Sequence, residues 1–314
     1  MAEFINSGNK DTRSGFGAGL LQAGRLNSKV VAMAADVTGS VKMDAFAAEF
    51  PDRFFQCGIA EANMVSMAAG MAIGGYVPFI GAFANFATAR ILDQIRQSVC
   101  YSGTNVKIAG SHAGITLGED GATHQTMEDV GIMRMLPGMT VVCPCDYNQT
   151  VAATIAVSKW NGPVYLRFGR PSVPNFTEEG AEFRIGKAQK LLEGKDITIL
   201  TYGHLVWESI QAAKVLEEKG VSVDLLNIHT IKPLDVEAIK ASVAKTGKVI
   251  VAEEHLIAGG LSEAVAGFLA RTNPVPMRFV AVDDKFGQSG KPAELMSRYG
   301  LDAEHILSAV GQLL

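Results

Sequence analysis

The sequence predicts an α/β protein of two domains, each a mainly parallel sheet flanked by helices. Short β-branched runs alternate with stretches of helical spacing, the pattern of βαβ units. Of the 314 residues, 48% are hydrophobic and 33 are glycine, enough for more than one core and for many tight turns. One segment, Arg170-Pro-Ser-Val-Pro-Asn-Phe-Thr-Glu-Glu-Gly180, holds two prolines and a glycine with little apolar content, so it reads as a linker. Domain one is then 1–178 and domain two 179–314.

In chain order, the predicted strands of domain one are Val30–Ala34, Arg53–Cys57, Val77–Ile80, Val106–Ala109, Thr140–Val142 and Val164–Phe168. Gly58 opens a tight turn, and Glu61 falls in the first turn of a Gly- and Ala-rich helix that runs on through Met64–Gly75. Helical spacing recurs over Phe86–Tyr101 and Tyr147–Lys159. Domain two predicts strands Ile197–Tyr202, Val221–Leu226, Val249–Ala252 and Arg278–Val282, with helices Val206–Glu218 and Leu261–Ala270. In such folds the functional site lies beyond the carboxyl ends of the parallel strands.

Composition excludes several classes. Net charge is −4 with a pI near 5.9, and no basic stripe suggests nucleic acid. The start, Met-Ala-Glu-Phe-Ile-Asn, lacks the layout of a signal peptide. No apolar run reaches about 18 residues, so no membrane helix is expected. The cysteines, Cys57, Cys100, Cys143 and Cys145, fit no zinc spacing and read as reduced, mostly buried thiols of a cytoplasmic protein. No metal site is expected within the chain.

Polar chemistry crowds domain one. A carboxylate at a helix start, Glu61, complements the helix dipole, and that is the plainer reading for it alone. The segment Gly110-Ser-His112 to Gly118-Glu-Asp120-Gly-Ala-Thr-His124-Gln125 puts two histidines and an aspartate on one glycine-rich loop after a strand, a mixture that binds ligands more often than it packs. Phe83 and Phe86, three apart, would share one face if both are helical, either as core or as a platform for a heteroaromatic ring. Arg170 follows a strand end, as a surface ion pair or as a guanidinium aimed at an anion. Glu119-Asp120-Gly121 with Asn148 only faintly resembles G-D-G…N, since position 119 is not glycine. No P-loop and no dinucleotide fingerprint occurs, and Arg13-Ser-Gly-Phe-Gly17-Ala-Gly19 lacks a preceding strand pattern. In domain two, His204 and His229 stand alone and Glu253-Glu254-His255 follows a strand, which reads as a structural or assembly domain.

Together these residues resemble the C-terminal half of the transketolase family, its pyrimidine-binding domain followed by its C-terminal domain. Five separated motifs carry the likeness: Ala35-Asp36-Val-Thr-Gly-Ser40, Phe54-Phe-Gln-Cys-Gly-Ile-Ala-Glu61, Phe83-Ala-Asn-Phe86, the loop from Gly110 to Gln125, and Arg167-Phe-Gly-Arg170-Pro. The N-terminal half with G-D-G…N is missing, so the chain looks like the second subunit of a split transketolase.

The resemblance implies thiamine diphosphate, with a divalent metal (Mg or Ca) and the diphosphate held by a partner that carries G-D-G…N, in an α2β2 assembly. It assigns Glu61 to the aminopyrimidine nitrogen, where the acid must share a proton. A dry cleft suits that role and a helix start opposes it. Phe86 matches the ring that stacks on the aminopyrimidine and Phe83 a neighbouring wall, while Ala89 stands where some relatives carry another aromatic. Asp120 and His124 match contacts near the reacting carbon. Arg13, Ser40, His112 and Arg170 match the cluster that grips a sugar's terminal phosphate, and they cannot exclude a sulfonate. The implied reaction moves a two-carbon ketol unit from a ketose to an aldose in cytoplasmic carbohydrate metabolism of the pentose phosphate type. The alternatives are the beta subunit of a 2-oxoacid dehydrogenase and a non-catalytic regulatory subunit. The histidines, Asp120 and Arg170 disfavour the first, and an intact Glu61 disfavours the second.

Overall fold

The computed structural model describes residues 4–314. The expectation for the amino-terminal segment falls partly on residues 1–3, outside the described residues.

The chain opens with β1 (Asn9–Asp11) and α1 (Thr12–Leu26). Asp11 caps that helix, accepting from the Ser14 N–H at 3.0 Å and its hydroxyl at 2.8 Å, which satisfies donors at the helix start. Then come β2 (Val30–Ala34), α2 (Asp44–Glu49), β3 (Phe54–Gln56), α3 (Glu61–Ile73), β4 (Val77–Phe83) and two short helical turns, α4 (Ala84–Ala87) and α5 (Leu92–Gln94). β5 (Lys107–Ser111), α6 (Asp129–Met135), β6 (Thr140–Val142), α7 (Tyr147–Lys159), β7 (Val164–Arg167) and β8 (Ser172–Pro174) follow. The second half runs β9 (Gln189–Leu192), β10 (Ile197–Thr201), α8 (Leu205–Glu218), β11 (Val223–Asn227), β12 (Thr230–Lys232), α9 (Val236–Thr246), β13 (Val249–Leu256), α10 (Leu261–Thr272), β14 (Met277–Val282), α11 (Pro292–Arg298) and α12 (Ala303–Gly311).

Two sheets of mainly parallel strands result, as expected. One has the order β12-β6-β7-β5-β4-β2-β3, the other β14-β13-β10-β11-β9. Only β12 and β9 run antiparallel within them. β2 is buried along its whole length, which is why it reads as an unbroken apolar run; β5 is buried as fully, and the Lys107 amine that it buries is bonded to Asn105 and to the Trp160 and Gly162 carbonyls. Because β2, β3, β4, β5 and β7 are parallel, the segments after them all emerge at one edge of the sheet.

The halves are less separate than a linker implies. β12, from the second half, adds to β6 of the first sheet, and one core cluster joins Ile80, Ile108 and Val141 to Leu200, Leu226 and Val251. The linker itself is tied down. β8 pairs with β1, and Asp146 accepts from the Phe176 and Thr177 N–H groups at 2.9 and 2.7 Å. Strands of three residues, one of them ending in a proline, are too short to leave a periodic signal.

Three local expectations change. The glycine-rich stretch from Arg13 forms the first two turns of a helix directly behind a strand, and its glycines serve packing. A Cβ on Gly15 would stand 2.6 Å from the Tyr147 carbonyl oxygen, and one on Gly19 2.7 Å from Thr154 Cβ, so α1 lies closer to α7 than any side chain allows. The predicted helix Phe86–Tyr101 is broken. Thr88 leaves the helical region (φ −125°, ψ −79°), its hydroxyl bonds back to the Ala84 carbonyl at 2.7 Å, and a 3-10 turn, α5 and a π-helical stretch Ile95–Tyr101 follow. A hydroxyl that competes for helix carbonyls favours such a break. Finally, Glu253-Glu254-His255 lies inside β13 rather than after it.

Candidate active site

Every predicted site residue stands at the carboxyl edge of the larger sheet or on a segment reaching it. Glu61 heads α3 just past β3, Phe83 ends β4, His112 follows β5, and Arg170 follows β7. Ser40 lies in the loop after β2, and Arg13 enters from the first turn of α1.

A continuous series of contacts links most of them. Glu61 is 5% exposed, and its Oε1 accepts from Arg90 Nη1 at 2.8 Å. The Arg90 guanidinium lies 3.8 Å from the centre of the Phe86 ring. The Phe86 ring is parallel to Phe83 within 10°, centroids 5.9 Å apart. Phe83 in turn stacks on His112 at 3.9 Å. His124 meets both phenyl rings edge-on, at 5.4 and 6.3 Å, and is held by Thr123 Oγ1 at 3.0 Å.

Arg13, His112 and Arg170, the residues expected to meet an anion, lie close together. Burial, reinforced by Arg13 and Arg170, pushes His112 down to about 3, so the imidazole is neutral. A proton on Nδ1 satisfies both its contacts: Nδ1–H donates to Ser111 Oγ at 2.8 Å and Nε2 accepts from Arg13 Nη1 at 3.3 Å. His112 is therefore an aligner of Arg13 rather than a second cation. Burial pulls the Arg13 guanidinium below its ordinary range, with Asp11 opposing and Arg170 adding to the fall. Its buried Nε makes no hydrogen bond, although Asp11 Oδ1 lies 3.3 Å away. Ser40 touches Arg13 through its carbonyl at 3.2 Å, and its side chain faces solvent. Arg170 donates to the Leu117 carbonyl at 2.7 Å and to Glu119 at 3.0 Å, with Asp120 at 4.0 Å. Asp120 itself is open to solvent. Asn148, the distant half of the G-D-G…N look-alike, is bonded to Asn175 and Thr177 of the linker.

Four residues give no signal of their role in the sequence. Arg90 lies in the segment whose spacing predicts continuous helix, and Glu119 stands only in a false motif. Glu254 and Gln125 hold the loop of the two histidines. Glu254 Oε1 accepts from the Thr116 N–H at 2.8 Å, and Gln125 donates to the Ile115 and Gln288 carbonyls at 2.9 and 3.0 Å. Gly114 sits against that acid, where a Cβ would come within 2.1 Å of Glu254 Oε1. His204, isolated in the sequence, lies 3.7 Å from Glu254. The second half thus clamps the site loop, beyond the structural or assembly role expected of it. No spacing rule signals such a contact, because its partners are more than a hundred residues apart.

The models for the transketolase pyrimidine-binding domain and the transketolase C-terminal domain match residues 9–175 and 186–306. The chain belongs to the transketolase family. It is a transketolase-type transferase subunit spanning that family's second half, and thiamine diphosphate is the family's cofactor. It is 42% identical over 294 residues to the 6-deoxy-6-sulfo-D-fructose transketolase subunit SqwH of a Clostridium species, covering 94% of this chain and 91% of that one. It is 40% identical to one subunit of the apulose-4-phosphate transketolase of Phocaeicola vulgatus, covering 94% of each. A split-gene transketolase, solved as an inactive beta4 tetramer, superposes with a TM-score of 0.91 at 41% identity, over 96% of this chain and 97% of that one. The split-subunit reading carried by five motifs therefore stands at the level of the family.

Proposed function

We propose that this chain is the beta-type subunit of a two-chain transketolase, carrying the ring-binding and sugar-gripping part of a shared active centre. One observation carries the reading: a buried carboxylate, Glu61, is joined through a single guanidinium, Arg90, to the parallel rings Phe83 and Phe86. A flat group set there meets the two things an aminopyrimidine needs, an aromatic face and a carboxyl, as the Arg90 guanidinium does over Phe86 and beside Glu61. Thiamine diphosphate, when bound, supplies the nucleophilic carbon that takes up the two-carbon unit. Glu61 would hold a proton against the ring nitrogen, Phe86 would stack on the ring, and Phe83 and His124 would wall it.

Arg13 and Arg170 would grip the anionic end of the sugar, with His112 setting the angle of Arg13 and Ser40 lining the entrance. Asp120 and His124, on the same loop, would meet substrate hydroxyls near the reacting carbon. Two guanidiniums suit a tetrahedral phosphate or sulfonate alike. The relatives named for a sulfosugar and for a sugar phosphate are consistent with either. We assign the diphosphate anchor and its divalent metal to a partner carrying G-D-G…N, in an α2β2 heterotetramer of cytoplasmic carbohydrate metabolism. Among the described residues no helix is long and apolar enough to cross a membrane. The family match favours ketol transfer over 2-oxoacid decarboxylation.

The test is reconstitution. The chain alone should give no ketol transfer, and adding a partner of about 270–300 residues, the size of a doubly wound domain with extensions, should restore it. Glu61→Gln should abolish turnover in the complex while leaving the circular dichroism spectrum unchanged. Turnover by the chain alone, or wild-type turnover in Glu61→Gln, would refute the division of labour.

A further inference from the structure

We propose that Arg90 is a built-in placeholder for the cofactor ring, which must swing out before the ring can enter. The inference rests on the thiamine diphosphate reading above and adds a moving part to it. The guanidinium is a flat, delocalised cation that stacks on aromatic faces and hydrogen-bonds carboxylates. Arg90 makes both contacts at once, 2.8 Å to Glu61 Oε1 and 3.8 Å to the Phe86 ring centre. These are the two surfaces a bound aminopyrimidine would need, one for its nitrogen and one for its face. Two planar groups cannot share them.

The backbone makes this occupation possible. Had Phe86–Tyr101 been one helix, Arg90 would follow Phe86 by four residues on a regular face. The break at Thr88 and the 3-10 turn Ala89–Ile91 redirect Arg90 toward Glu61. Its side chain is 47% exposed and that of Glu61 only 6%, so the arginine can leave into solvent and the carboxylate cannot follow. The pair keeps a buried carboxylate partnered until the ring enters, since an unpartnered buried charge is costly. Loading of the cofactor exchanges one planar partner of Glu61 for another.

The experiment is calorimetric titration of thiamine diphosphate into the reconstituted two-subunit complex, for wild type, Arg90→Ala and Arg90→Lys. A half-exposed ion pair and a cation–π contact that must be broken cost about three- to thirty-fold in affinity. Arg90→Ala should therefore bind the cofactor about three- to thirty-fold more tightly than wild type. Arg90→Lys, which keeps a charge but loses the flat stack, should fall between. In parallel, the Arg90 side-chain 15N resonances should be protected from exchange in the cofactor-free complex and released when thiamine diphosphate is added. Equal or weaker binding by Arg90→Ala would overturn the placeholder, as would Arg90 signals that cofactor leaves unchanged. If the alanine variant does not fold, the lysine variant and the wild-type resonances decide. A wild-type complex that binds no thiamine diphosphate would sink the cofactor reading itself, an outcome distinct from wild-type binding that Arg90→Ala does not tighten.

Discussion

Acid should destabilise this fold well above the range where its carboxylates protonate, and His112 should account for a defined share. Burial pushes His112 down to about 3 and His229 to about 4, against about 6.5 in the unfolded chain. A base with a depressed folded pKa binds its proton more readily when unfolded. Its contribution is thus complete above pH 6.5 and is lost as pH falls toward the folded value. At pH 5 each imidazole then costs about 2 kcal/mol, by the linkage relation at about 1.4 kcal/mol per unit. Two such groups remove about 4 kcal/mol, a large part of a typical domain's stability. His204, also lowered by burial, acts in the same sense. Glu208, raised by burial, acts in the opposite sense. Carboxylates held low by their partners, such as Asp224 and Asp302, lose their contribution only below their unfolded values near 4, so between pH 6.5 and 5 the loss comes from the histidines, with Glu208 opposing it. Urea unfolding at pH 7.5 and 5.0 measures the loss, and His112→Gln should recover about 2 kcal/mol of it. A variant whose stability falls between those pH values as much as the wild type's would refute the argument.

Arg170→Ala in the reconstituted enzyme should raise KM for an anionic sugar about ten- to a hundred-fold with little change in kcat, the worth of one charge-assisted hydrogen bond; an unchanged KM would remove Arg170 from the anion grip. Gly19→Ala should cost about 1–3 kcal/mol through overpacking of α1 against α7, read as a lower urea midpoint, and a neutral substitution would mean the helices can part cheaply. Glu254→Ala should lower kcat while sparing cofactor affinity, because it frees the Thr116 turn and not the Phe83 and Phe86 rings; equal loss of both would mean that the whole edge collapses.

What is legible in the sequence is what burial writes locally. β2, β6 and α7 fall at the residues predicted for them, because strands buried on both faces are rich in β-branched and apolar residues and a helix capped by Asp146 announces its start. Glu61, Phe83, His112 and Arg170 are legible as candidates because parallel strands bring their carboxyl ends together, so adjacency in the sheet follows from alternation along the chain. The contacts that arrange those candidates are not legible. Arg90 reaches Glu61 across 29 positions, Glu254 reaches Thr116 across 138, and β12 crosses into the other domain's sheet. Each is one long side chain or a three-residue strand, too short to impose a period on the sequence.

The uncovered surface beside Glu61 argues that this edge is one half of something larger. α3 buries Met64, Val65, Ala68 and Ala69 against the sheet and turns Ala62, Asn63, Ser66, Met67 and Gly70 to solvent. Ile59, just before the helix, and Ile73, at its end, are each 78% exposed. A chain that leaves such residues in water next to a buried acid gains no stability from their apolar area, which points to a covering chain. The small side chains along the face allow a partner's backbone to approach closely. A ring held by Glu61 and Phe86 at the foot of this helix would then be closed off from water only when both chains are present. The same burial that makes Glu61 useful to a heterocycle would make turnover depend on assembly.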